Sequence, residues 1–184
     1  MSQVRAELLV DARTCLPKEA TVSVVQVIGV DPGLVHTGVV ELVFGIHSQN
    51  LLVKHGVVDG PDAAAVTRWV QQPRPTKPVV FVEAYRPRQH LSTDQRMLQA
   101  EHELRQGLGD ATFLPNMGIK RIITRDLMEL VDVWDFPTST HHQDLRAAAR
   151  IALLGMVKDT VMNGVLADVV GDHLGGQPWR VTHV

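Results

Sequence analysis

Residues 22–30 are dominated by Val and Ile, and the run stops abruptly at Asp31-Pro32-Gly33. β-branched side chains favour extended backbone, and a stretch with no polar face suits a strand covered on both sides. The segment therefore predicts the centre of a sheet, with a carboxylate delivered to the strand end where a turn begins. Residues 79–82 are wholly apolar and are followed by Glu83, so the same arrangement recurs. Two acidic groups are thus carried to the ends of strands that must be buried.

The remaining periodicities fill in the elements around these strands. Residues 37–46 and 51–58 are β-rich runs separated by His47-Ser48-Gln49-Asn50, and with the first run they make an antiparallel meander. Helical spacing over 61–72 is stopped by Pro73, Pro75 and Pro78. Residues 91–108 read as a helix ended by Gly107 and Gly109, and 111–114 as a further strand. A helix is predicted from about Thr124, and an Ala-rich one within 137–159, where Thr140 and Gln143 have the capping-box spacing. The order β-β-β-α-β-α-β-α-α predicts an α/β domain. Its sheet is mixed and five-stranded, three antiparallel strands then two parallel, flanked by helices.

This domain is expected to span residues 22–170. Residues 1–21 form an N-terminal extension, either an appended arm or a short helix over 3–13. Residues 171–184 form a tail that Gly175-Gly176 and Pro178 make irregular.

At 184 residues, 45% of them hydrophobic, the chain can bury one substantial core and is short for two. Cys15 is the only cysteine, which excludes an internal disulfide and a cysteine-based zinc site. Lys and Arg number 18 against 20 acids, a formal net charge of −2, so any case for nucleic acid must rest on local charge. The apolar runs are too short or too interrupted to cross a bilayer. The N-terminal segment mixes Arg5, Arg13 and Lys18 with Glu7, Asp11 and Glu19, unlike an export or transit signal, so a soluble, cytoplasmic protein is expected.

Asp31, Glu83 and Asp144 stand at strand ends or just inside a helix, where a carboxylate is costly unless it is solvated, paired or bound to a cation. His141 precedes Asp144 by three positions, so the two share a helix face and form a chelating unit. Read alone, the pair is explained equally well by an Asp complementing the helix dipole beside a solvated His. Asp31 alone, before Pro-Gly, reads as a turn-former. One such acid alone would mean little, and three of them call for a functional hypothesis.

Taken in order, the motifs resemble those of the RuvC-type Holliday junction resolvases, of the RNase H-like (retroviral integrase) superfamily. Val27-Ile28-Gly29-Val30-Asp31-Pro32-Gly33, continued by Thr37-Gly38, is similar to that family's first motif. Val79-Val80-Phe81-Val82-Glu83 resembles the second, and His141-His142-Gln143-Asp144 before Ala147-Ala148-Ala149 resembles its helical His-x-x-Asp. Some relatives carry Asp where His141 stands, and the family's aromatic after the Glu has only an offset counterpart in Tyr85. The resemblance implies an RNase H-like fold and hydrolysis of phosphodiester bonds in branched DNA by a homodimer. It also implies that Asp31, Glu83, His141 and Asp144 are the catalytic and metal-binding residues.

Two ions per site are expected from the chemistry of such a cleavage. Oxygen ligands suit Mg²⁺, and the His141 nitrogen would let Mn²⁺ substitute; His141 has the alternative role of orienting or deprotonating water. His142 is expected to face solvent. Candidate DNA contacts are Tyr85, Arg86 and Arg88 in the loop after Glu83, Arg96 on the next helix, and the basic group Lys120, Arg121 and Arg125.

The alternatives are another RNase H-like nuclease (a flap or fork endonuclease, a transposase-like domain or a ribonuclease) and a non-catalytic junction-binding module. A sugar-kinase or actin-like ATPase shares the Asp-x-Gly turn but needs a second domain for which this chain is short.

Overall fold

The computed structural model describes residues 24–86 and 94–184; the N-terminal extension and Arg88 lie outside the described residues. In chain order the elements are β1 (Val24–Asp31), β2 (His36–Gly45), β3 (Asn50–Asp59), α1 (Ala63–Val70), β4 (Val79–Glu83), α2 (Gln95–Gly107) and β5 (Thr112–Leu114). They continue with α3 (Ile119–Ile122), α4 (Arg125–Leu130), α5 (His142–Lys158), α6 (Thr160–Leu174) and β6 (Arg180–His183). The sheet runs β5-β4-β1-β2-β3-β6. β1, β2 and β3 are antiparallel neighbours, while β4 runs parallel to β1, β5 to β4 and β6 to β3.

The mixed α/β architecture is the expected one, with two differences at the C-terminal end. The sheet has six strands rather than five, and the end of the chain is ordered structure rather than an irregular tail. Asp159 starts α6 by accepting hydrogen bonds from the backbone N–H groups of Val161 and Met162, each 3.0 Å long. Met162, Val165, Leu166, Ala167, Val169 and Val170 are buried, so α6 is apolar over most of its girth and shows little of the two-faced pattern that marks a helix in sequence. After the turn at Gly176, with φ +78°, Trp179 buries its ring edge-on to Phe44 and donates from Nε1 to Asp172. The four residues of β6 then pair through the backbone with β3.

The alternation of β1 organises the two layers. Val25 and Val27 face the core under α5 and α6, whereas Ile28 and Val30 face the smaller core under α1 and α2. In β4, Phe81 belongs to the first core and Val82 to the second. With a period of two, Asp31 and Glu83 therefore emerge on the α5 side. α5 lies almost in contact with the sheet backbone: a Cβ at Gly29 would fall 2.1 Å from the Ala148 carbonyl oxygen and 2.7 Å from the Ala152 nitrogen.

On the opposite face, Glu41 is 1% exposed and is held by Arg74, whose Nε donates over 2.9 Å. Gln26 also donates to Glu41, and Arg74 donates further to the carbonyls of Trp69, Val70 and Gln72. The pair fastens the Pro-rich connection to the sheet with its polar groups satisfied, as a buried charge requires.

Candidate active site

At one end of the sheet, β1 and β4 finish side by side. Val30 pairs with Val82 in parallel register, so Asp31 and Glu83 are the next residues of neighbouring strands on the same face. The antiparallel partner of Asp31 on its other side is Gly38. The missing side chain there admits the first turn of α5, since a Cβ on Gly38 would lie 2.4 Å from the Asp144 carbonyl oxygen. Asp144 is thereby brought beside Asp31. The turn between β1 and β2 is fixed by Thr37, whose hydroxyl donates to the Gly60 carbonyl over 2.8 Å and accepts from the Gly33 N–H over 3.3 Å.

The electrostatics of the three carboxylates follow from this convergence. Burial, a hydrogen bond shared with Glu83 and the charges of Glu83 and Asp144 push the Asp31 pKa from 3.8 up to about 9. Without a cation the cluster therefore keeps a proton on Asp31 through the neutral range, because like charges crowded away from water oppose ionisation. His141 joins from the start of α5, with Nδ1 3.6 Å from Asp144 Oδ2. Its ring stands edge-on to His36 at a centroid distance of 4.4 Å. His36 in turn has Nδ1 3.4 Å from Asp59.

All four expected site residues thus meet at one end of the sheet. Asn116 and His36 are additions that sequence reasoning did not supply. Asn116 Nδ2 donates to Glu83 Oε1, bringing in the loop after β5. Asn116 carried no signal in its neighbourhood, whereas His36 stood inside the first motif. Two local expectations are corrected. The cap of α5 is His141 itself, without a side-chain cap bond, and its N–H donates to Ser139 Oγ over 3.0 Å; Thr140 does not cap it. His142 is half-buried rather than solvent-facing, because its Nδ1 accepts the Phe136 N–H over 3.4 Å.

No family model matches the sequence, and no curated protein matches it. Solved structures do. A structure of Thermus thermophilus RuvC in complex with a Holliday junction substrate aligns with TM-score 0.51 and 14% identity, over 84% of this chain and 98% of that one. The fold is that of RuvC. A second structure of Thermus thermophilus RuvC aligns with TM-score 0.49 and 16% identity, over 79% of this chain and 96% of that one.

Within this RuvC fold the candidate DNA contacts differ in how free they are. Arg86 is exposed three residues beyond Glu83, and Lys120 and Arg121 are exposed on α3. Tyr85 is tied to α2: its N–H donates to Glu101 and its hydroxyl accepts from the Asp94 N–H over 3.2 Å. Arg96 pairs with Asp94 at 3.1 Å, and Arg125 pairs with Glu129 at 2.7 Å.

Among the described residues, no three His, Cys, Asp or Glu side chains already stand grouped as around a bound ion. Glu83 is turned to Asn116 and His141 to His36. The donors nonetheless suit a hard divalent cation, since two strand ends and a helix start present carboxylates whose mutual repulsion such a charge would relieve.

Proposed function

We propose that this protein is a divalent-metal-dependent endonuclease that cuts branched DNA, a Holliday junction resolvase working as a homodimer. The observation that carries the reading is the convergence of Asp31, Glu83 and Asp144 from β1, β4 and α5 at one end of a RuvC fold, with Asp31 raised to about 9 by burial and by its acidic neighbours. So strong a perturbation in a cluster of acids is what a cation site shows before the cation arrives. One neighbour in the structural comparison is a RuvC in complex with a Holliday junction substrate, which supports branched DNA as the substrate class.

Asp31, Glu83 and Asp144 would hold the metal, and His141 supplies a ring nitrogen to the same pocket, as a ligand or as the group that takes a proton from the attacking water. Mg²⁺, with Mn²⁺ able to replace it, supplies charge for the developing oxyanions and a more acidic water when bound. Asn116 holds one oxygen of Glu83, and His36 holds the orientation of the His141 ring. Among the described candidates, Arg86, Lys120 and Arg121 are cations free to anchor phosphates around the cut, while Tyr85, Arg96 and Arg125 are further candidates that already have partners in the protein. A homodimer would place two such sites for paired cuts on a two-fold substrate.

The test is incubation with labelled four-way, forked, flapped and linear DNA in Mg²⁺ or Mn²⁺. Cleavage of the four-way junction is expected, with loss on chelation. Glu83→Gln and Asp144→Asn should each cut at least about 10³-fold more slowly, about 4 kcal/mol of barrier, while binding persists. Cleavage of flaps or forks alone would make it another nuclease of this fold, and binding without cleavage in any metal would overturn the reading.

His141 gives a separate prediction. His141→Asp makes the donor set all oxygen and should retain activity while moving preference from Mn²⁺ toward Mg²⁺. His141→Ala should lose about 10–100-fold with both metals, the range seen when the surroundings of a metal site are disturbed. Steady-state rates across a metal titration decide it, and an unchanged rate in the Ala variant would remove His141 from the site.

A further inference from the structure

Three guanidinium groups surround the Trp134 ring: Arg125 at 4.9 Å from its centroid, Arg146 at 4.2 Å and Arg150 at 5.4 Å. Two of them already have partners, and Arg146 keeps donors to spare. Arg146 donates to the Trp134 carbonyl over 2.7 Å and to Asp135 over 2.9 Å, and Arg125 is held by Glu129. Asp126 and Asp135 also face Arg125, so the acids of this region gather at Arg125 and Arg146. Arg150 pairs with no carboxylate among the described residues, and its buried Nε has no hydrogen-bond partner. Burial and the charge of Arg146 both pull the Arg150 pKa down. A half-buried guanidinium with an unmet donor beside a second guanidinium is costly unless an anion completes it.

We propose that Arg150 and Arg146, set against Trp134, form a second nucleic-acid contact that takes a backbone phosphate from a DNA arm other than the arm being cut. Guanidinium stacked on an aromatic ring keeps its N–H edge for an oxyanion, and its forked donors match phosphate. The direction follows from helix geometry. Arg146 and Arg150 lie two and six residues past Asp144 on α5. At about 100° per residue they point about 160° and 120° round the helix from Asp144, and at 1.5 Å per residue they lie within about 9 Å of it along the axis. A strand bound at the acids therefore leaves this side of the helix to a second arm. The inference rests on the nuclease reading for its substrate, and it makes Arg150 a determinant of branch selectivity.

The experiment measures DNA affinity of the full chain against salt without divalent metal, on a four-way junction and on a linear duplex of the same sequence. Arg150→Gln is expected to weaken junction binding about 3–10-fold and to reduce the salt slope by about one unit, the signature of one lost phosphate contact. Linear duplex binding should not change. If Arg150→Gln is unstable, the Arg150 Nε–H resonance of the wild-type chain should shift on adding junction and stay fixed on adding duplex. An unchanged slope with an unmoved resonance, or equal losses on both DNAs, overturns the proposal even if metal-dependent cleavage is intact. A junction-specific slope change in a chain that cuts nothing would keep this contact and remove the nuclease reading.

Discussion

Asp31→Asn should cut branched DNA at least about 10³-fold more slowly than the wild type and, without divalent metal at pH 8, melt roughly 3–10 °C higher. The two effects have one cause. Burial at the end of β1 and crowding by Glu83 and Asp144 raise the Asp31 pKa from 3.8 to about 9, so the metal-free folded chain holds a proton that the unfolded chain releases. A raised pKa contributes stability that is complete below about pH 4 and is lost as pH rises through about 9, because the folded state binds more protons across that window. Wild-type melting temperature should therefore fall over that range in a chelating buffer. Asn cannot ionise, so the variant should lose most of this slope. Adding Mg²⁺ should raise the wild-type melting temperature and leave the variant nearly unmoved. Thermal melts at several pH values, with and without Mg²⁺, read all of this. A variant less stable than wild type at pH 8, or one that cuts normally, would show that Asp31 is not the strained centre of the site.

Gly38→Ala should cost at least about 100-fold in cleavage, the scale at which a displacement near 1 Å acts on a catalytic arrangement. Its added methyl would stand 2.4 Å from the carbonyl oxygen and 2.7 Å from the carbonyl carbon of Asp144, so the clash is with helix backbone that cannot rotate aside. The first turn of α5 must back away, carrying Asp144 and His141 from Asp31 and Glu83. Gly45→Ala, at the other end of β2, is the control. There the methyl meets Ser48 Oγ at 2.5 Å, and that hydroxyl can turn away at the cost of one exposed hydrogen bond to the Gly45 carbonyl. Cleavage rates and melts for the pair separate the two. Near-native cleavage by Gly38→Ala would mean that α5 has room to spare above β2.

The contrast between legible and illegible parts has a physical basis. β1 and β4 announced themselves because each sends side chains into both cores, which favours Val, Ile and Phe on either face, and the acids that end them were visible for the same reason. The His141–Asp144 spacing was visible because three residues is a helical contact. α6 was missed because it is covered on several sides, and β6 because a four-residue edge strand held by backbone pairing and Trp179 leaves almost no pattern in its side chains. The Glu41–Arg74 pair and the bond from Asn116 to Glu83 each link residues 33 positions apart, and no local periodicity reports such a meeting. His142 was misjudged because the loop that supplies the Phe136 N–H folds back over it.

The parallel register of β1 and β4 has a consequence for how the two halves of the cluster respond to change. The spacing of Asp31 and Glu83 is inherited from the hydrogen-bonded interval between adjacent strands, about 4.8 Å, among the least variable lengths in protein architecture. The distance from that pair to Asp144 depends on how deeply one helix seats against glycine and alanine. The sheet is the fixed jaw of a vice and α5 its movable one. Substitutions under the helix should therefore tune activity in graded steps, leaving the strand-borne pair in place.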